Sequence, residues 1–325
     1  MNENRRGINP FSGLFGSPPL QLRPDRPVVI IGAANMDLSG TPDNPLRMRD
    51  SNPGRVRLSP GGVGRNIAEN LARLGRRVYL MTVLGEDEWA GLIRQHCLNA
   101  GIDLRLTLTD PHARTSTYLC VNDRNGDLLA AVSDMAVYDS LTPDHLQPFL
   151  RELNEASMVI ADANLPEETL VWLSKNLTVP MAADPVSAAK APRLKNALSK
   201  LVLLKPNVAE AELLTGLSIC GEADYRRAAD ALHVLGVQRV YLSLGAGGVY
   251  ADDGKERALL PCVPGEIRNT TGCGDAFVAA AADAYLSGLG TLEAGRHALA
   301  AAAICASDSV AVSPRLCQET LAMML

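Results

Sequence analysis

The stretch NTTGCGDAF, residues 269–277, places one carboxylate, Asp275, at the mouth of an alanine-rich helix. The backbone before it is made almost entirely of small residues. The N–H groups of Gly272, Cys273 and Gly274 precede the helix and can converge on one anion, aided by the helix dipole. Asp275 is not itself the ligand for such an anion, because two negative groups would repel. A phosphoryl group partly neutralised by a metal removes the conflict. Asp275 then accepts the proton of an attacking hydroxyl while the amides steady charge on the phosphoryl oxygens. A plain capping turn through Thr271 or Asp275 accounts for the same residues.

Three further stretches carry chemistry. In SPGGVGRNIAENLARLG (59–75), adjacent glycines before a helix permit close backbone approach to a ligand, and Asn66 offers both a donor and an acceptor. This is no dinucleotide fingerprint, because Ile67 stands where a third glycine belongs, and the chain has no GxxxxGK[ST] loop. In LLKPNVAEAELLTG (203–216), Asn207 and Glu210 lie three apart at a helix start, where an amide oxygen and a carboxylate can hold a hydrated Mg²⁺. A capping box explains that pair equally well. Asp184, in AADPVSA, ends another strand and can join the metal or phosphate shell. Finally, YLSLGAGGVY (241–250) is a strand, a glycine turn and a short strand able to wrap phosphates or ribose with backbone.

The elements that must position these residues alternate. Residues 27–38 read as a buried parallel strand, Ile67–Leu74 as a helix, and Val78–Val83 as a second strand. A helix follows over Glu88–Ala100. Strands are expected at Met158–Ala161, Pro180–Ala183, Leu201–Leu204 and Val240–Leu244. Helices are expected at Glu167–Lys175, Val208–Leu214, Asp224–Leu235 and Ala276–Leu286. Such alternation implies a mostly parallel sheet with helices on both faces. The four chemical stretches all fall at strand C-termini, where open α/β sheets bind ligands. Two segments, about 39–59 and 103–135, break the rhythm, and the second carries an Asn125-Gly126 hairpin signal. They read as a small β-lid over the site.

Bulk properties exclude several classes. The 325 residues carry a net charge of −5, which gives no electrostatic footprint for nucleic acid or an anionic membrane. Seven cysteines without a CxxC pair support neither a disulfide framework nor a zinc site, and fit reduced thiols in a cytoplasmic protein. No apolar run reaches the roughly 18 residues that span a bilayer. Residues 1–27 are rich in Pro, Gly and Arg, lack a signal-peptide core and read as a flexible extension in which Phe11, Leu14 and Phe15 can dock. Residues 28–325 form the domain.

Taken together, GG…N before the first helix, PNVAE in the middle and NTTGCGDAF near the end resemble the ribokinase-like (PfkB) family of carbohydrate and nucleoside kinases. The resemblance covers about residues 28–323 and implies a three-layer α/β/α sandwich with a small β-lid. It implies Asp275 as catalytic base, with Gly272, Cys273 and Gly274 as the anion hole. Asn207 and Glu210 organise Mg²⁺ through water. Asp37, Gly62 and Asn66 grip sugar hydroxyls, with Asn35 and Asn164 at positions aligned to substrate contacts. Ser243, Gly245 and Gly248 line the ATP side. Two positions depart from the family pattern. Cys273 stands where Ala is usual, and Asn269 replaces a common Asp, which leaves a monovalent-cation requirement open.

Within the family, VIIGAANMDLSG, GGVGRN and SDMAV resemble the subgroup that phosphorylates pseudouridine; a ribokinase more often shows GGKGAN. The implied reaction gives pseudouridine 5′-phosphate and ADP, with Ser51, Asn52, Thr117 and Asp134 of the lid as base contacts. A ribokinase- or fructokinase-like sugar kinase and a catalytically idle nucleoside or ATP sensor are the alternatives. Neither nucleic acid nor membrane is an expected partner, and exposed lid edges suit a homodimer.

Overall fold

The computed structural model describes residues 25–124 and 127–325. Phe11, Leu14, Phe15 and the Asn125-Gly126 turn lie outside the described residues. At the start of the described residues the Pro27 carbonyl accepts the Ser157 N–H at 2.8 Å.

Nine strands form the main sheet. In spatial order they are Arg257–Leu260, Val249–Asp252, Val240–Ser243, Leu201–Leu204, Met181–Asp184, Met158–Asp162, Val28–Ile31, Val78–Met81 and Ile102–Asp103. The pairs from Val240–Ser243 onward are parallel, and Val249–Asp252 runs antiparallel to both of its neighbours at the opposite end. The strand Val28–Ile31 is apolar throughout because both its faces are covered. Val28 and Ile30 enter one core while Val29 and Ile31 enter the other. The first core takes side chains of the helices Val63–Arg73, Cys273–Leu286 and Thr291–Ala306, and the second those of Glu167–Asn176, Val208–Thr215 and Glu222–Val234. This is the three-layer sandwich that the alternation implied.

A separate four-stranded sheet runs in the order Gly54–Gly61, Asn35–Pro42, Thr117–Asn122 and Leu128–Asp134. Two expectations are corrected here. Residues 27–38 are not one strand: the first ends at Ile31 and a new one, in the small sheet, begins at Asn35. Gly32 sits at the break, where an added Cβ would lie 2.3 Å from the Asp162 carboxylate. The stretch from 103 does not belong wholly to the small sheet, which it joins only at Thr117. Ile102–Asp103 closes the main sheet, Leu108–Thr109 pairs with Val83–Leu84, and Leu106 is buried in the second core.

Candidate active site

The strand ends build the site. Asp162 and Asp184 stand side by side in register at the C-termini of neighbouring strands. Asp162 is buried, and its Oδ2 accepts the N–H groups of Ala33 and Gly64 at 2.8 and 2.9 Å while Oδ1 accepts that of Asn164 at 2.9 Å. It therefore pins the glycine turn before the Val63–Arg73 helix to the sheet. Lys205, at the end of the adjacent Leu201–Leu204 strand, is buried with its Nζ 3.9 Å from Asp184 Oδ2.

Asp275 comes to this cluster from the first turn of the Cys273–Leu286 helix. It is buried, and one oxygen accepts the Asn66 amide Nδ2 at 2.7 Å. Burial pushes its carboxyl up to about 8; the charges of Asp184 and Asp162 add to this, and Asn66 and Lys205 oppose it. A carboxylate so placed is a proton acceptor near neutral pH.

The cradle before it is built on two glycines with distinct reasons. Gly272 has φ +83°, and an added Cβ would lie 1.9 Å from the Ala311 carbonyl oxygen. At Gly274 an added Cβ would come within 3.3 Å of Lys205 Nζ, so the bare backbone admits the ammonium to the helix start. First-turn N–H groups have no intrahelical acceptor, which leaves those of Gly274 and Asp275 to face a ligand. Cys273 departs from its expected place in the anion hole, because its N–H is turned to the Thr270 carbonyl at 3.3 Å. Its side chain packs against Cys305, whose Sγ lies 3.2 Å from Ala311 O and 3.7 Å from Thr271 O, alternative acceptors for its one proton. A hydrogen bond from Cys305 lowers the Cys273 thiol, and the same contact raises Cys305.

Asn207 and Glu210 form a full capping box. Asn207 Oδ1 accepts the Glu210 N–H and Glu210 Oε2 accepts the Asn207 N–H, both at 2.9 Å. Burial raises the Glu210 carboxyl, the Lys205 charge lowers it and the Asp184 charge raises it, so the three groups share one field. Among the described residues no three His, Cys, Asp or Glu side chains cluster as a cage for a metal. The oxygen-only set of Asp184, Asn207 and Glu210 suits a Mg²⁺ held through water and phosphate. The Asn207 backbone also bridges to Ser243, whose N–H and Oγ both reach the Pro206 carbonyl. Beyond it, Gly245 and Gly248 adopt φ of +58° and +87°, and at Gly248 an added Cβ would meet Leu260 O at 2.0 Å.

On the substrate side, Gly62 caps the helix with φ +97°, packed against the Ala33 carbonyl. Asn35 Nδ2 donates to Asp37 Oδ1 at 2.5 Å. Asp37 is in register with Ser59 and Tyr118. Burial raises the Tyr118 phenol and Cys120 thiol, and the Asp37 charge adds to both, as expected for one shared face. Asn164 accepts a hydrogen bond from Lys190, while the Arg193 guanidinium holds the Asn164 carbonyl at 2.9 Å.

The four lid candidates are not gathered onto the Asp37 face. Thr117 and Asp134 pair with each other in register with Met36, which side-chain alternation places on the opposite face. Asn52 turns back on its own loop, accepting from Arg47 N and donating to Arg47 O and Asp50 O. Ser51 lies exposed beside it. Sequence reasoning missed Asp162 and Lys205. Each is a lone polar residue closing an apolar strand, in MVIAD and LVLLK, and that pattern is the signal that would have found them.

With this geometry in place, comparison with known proteins identifies the class. The pfkB family carbohydrate kinase profile matches residues 25–316, and the chain belongs to that family. It is therefore a phosphotransferase with an alcohol group as acceptor. The chain is similar to "Pseudouridine kinase" of Escherichia coli (strain K12), at 35% identity over 89% of this chain and 93% of that one. It is also similar to "Uncharacterized sugar kinase YeiI" of the same organism, at 34% identity over 89% of this chain and 80% of the other. Among solved structures, a carbohydrate kinase from Agrobacterium tumefaciens superposes with a TM-score of 0.82 at 32% identity, covering 92% of this chain and 96% of that chain.

Proposed function

We propose that the protein transfers the γ-phosphoryl group of ATP to the 5′-hydroxyl of pseudouridine, giving pseudouridine 5′-phosphate and ADP. The observation that carries this reading is Asp275. It is a buried carboxylate oriented by Asn66 at a helix start, with the Lys205 ammonium against the neighbouring glycine backbone. Asp275 takes the hydroxyl proton. The N–H groups of Gly272, Gly274 and Asp275 and the Lys205 ammonium face the phosphoryl oxygens. Asn35, Asp37, Gly62, Asn66 and Asn164 orient the ribose, and Ser243, Gly245 and Gly248 hold the nucleotide. Asp184, Asn207 and Glu210 would hold Mg²⁺ through water, which neutralises phosphate charge when bound. The small sheet serves as a roof that excludes water, the competing acceptor.

Similarity to the E. coli pseudouridine kinase and the GGVGRN turn support the nucleoside. Similarity to a sugar kinase at almost the same identity supports a free sugar as the second reading. ADP release measured with pseudouridine, uridine, adenosine, ribose and fructose at equal concentration separates them. Pseudouridine is expected to give the largest kcat/KM, and a preference for ribose or fructose would overturn the nucleoside assignment. The reading includes a homodimer through the small sheet. Leu58, Leu38, Leu119 and Val132 form one cross-strand row, three of them largely exposed, which a second copy would cover. A monomer by light scattering at micromolar concentration would rule that out.

A further inference from the structure

Arg65 is among the largest fully enclosed side chains of the described residues, at 2% exposure, and it stands in the GGVGRN turn where GGKGAN has Ala. Its guanidinium is held on every side. Nε donates to the Gly61 carbonyl at 3.2 Å, Nη1 pairs with Glu69 Oε2 at 2.5 Å and lies 3.3 Å from His96 Nδ1, and Nη2 donates to Asn66 Oδ1. A carboxamide has two nearly isosteric orientations, and only hydrogen bonding chooses between them. A guanidinium has donors and no acceptor, so it admits only the oxygen of Asn66 on its side. The amide nitrogen is thereby directed at Asp275 Oδ2, 2.7 Å away.

We propose that Arg65 is a positioning residue for phosphoryl transfer: it fixes the Asn66 carboxamide so that its N–H orients the Asp275 carboxylate toward the acceptor hydroxyl. This rests on Asp275 being the base. Without Arg65 the carboxamide can reverse and set its oxygen against the carboxylate, turning a support into a repulsion. The charges facing Asp275 are Asp184, Asp162 and Lys205; those around Arg65 are Glu69, Arg73, His96 and Asp37. None of them contacts the Asn66 oxygen in place of the guanidinium. Glu69 keeps Arg73 Nη2 at 2.7 Å when Arg65 is lost, so a single replacement does not leave that buried carboxylate alone.

A double-mutant cycle tests this. Arg65→Met, Asn66→Ala and the double variant are compared by steady-state kinetics, with Asp275→Asn in parallel. Arg65→Met is expected to lower kcat roughly tenfold with the KM for ATP unchanged, and to cost nothing further in the Asn66→Ala background. An equal loss in both backgrounds, or an unchanged kcat in Arg65→Met, would overturn the proposal. Near-normal turnover in Asp275→Asn would instead remove the base assignment and this inference with it. If Arg65→Met does not fold, Arg65→Met combined with Glu69→Leu, an apolar replacement of the ion pair, supplies the same comparison.

Discussion

Asn66 Nδ2 donates to Asp275 Oδ2 at 2.7 Å, joining the first and last of the chemical stretches across 209 residues of chain. The bond orients the carboxylate and opposes the burial that protonates it. With the carboxyl held near 8, the proposed base is partly protonated at neutral pH. Activity therefore rises with pH through that value instead of levelling off near the ordinary carboxylate range. The acid limb of kcat/KM against pH is expected to have its midpoint near 8, and Asp275→Asn is expected to lose at least about a hundredfold in kcat while still binding nucleotide. A profile flat from pH 5 to 9 would contradict the base assignment.

The same burial sets a stability effect of opposite sense. Unfolded, Asp275 ionises near 3.8; folded, it stays protonated up to about 8. Between those values the folded chain binds the extra proton, so each rise in pH favours unfolding until both states are ionised. The effect is absent below the lower value and complete above the upper one. Asp275→Asn removes it. The variant is expected to be more stable than the parent at pH 8 by on the order of a few kcal/mol and nearly equal to it at pH 4. Urea unfolding at the two pH values measures this directly, and equal differences at both would refute it.

How much of this was legible beforehand follows from what sequence pattern records. The alternation of apolar runs with amphipathic segments reports burial on one or two faces, and Val28 to Ile31 entering two cores is that signal made concrete. Gly272, Gly62 and Gly248 were legible because only glycine tolerates their backbone and close neighbours. Lid face assignment was not legible. Whether Thr117 shares a face with Asp37 depends on a strand register between segments about 80 residues apart, and a one-residue change reverses it. Cys273 misled for a related reason, because turning its N–H to Thr270 is a property of the loop geometry and not of the residue type.

Gly272 gives a structural prediction that separates the cradle from the base. Its φ of +83° is in the left-handed region, and a methyl group there would overlap the Ala311 carbonyl. Strain in the left-handed region is about 1–2 kcal/mol for an ordinary residue, and the overlap adds to it. Gly272→Ala is expected to lower stability by at least about 2 kcal/mol and to slow turnover, because the loop must shift the amides proposed to face the phosphoryl group. Stability and activity both unchanged would show that the loop relaxes freely and that its geometry is not held as described.

Lys205 provides the last prediction. Its ammonium is the cation that approaches both Asp184, at 3.9 Å, and the Gly274 backbone, and it opposes the burial of Asp275 and Glu210. Lys205→Met removes one charge from a site otherwise lined by carboxylates. Two effects are expected together: kcat/KM falls by roughly a hundredfold, the cost of losing one preorganised charge from a developing oxyanion, and the acid limb moves to higher pH because one group that favours ionised Asp275 is gone. The two are separable by measuring the rate on the alkaline plateau, where Asp275 is ionised in both proteins. A loss that vanishes on that plateau would assign Lys205 only to tuning the base. A loss that persists there assigns it to the phosphoryl group as well, and persistence is the expected outcome.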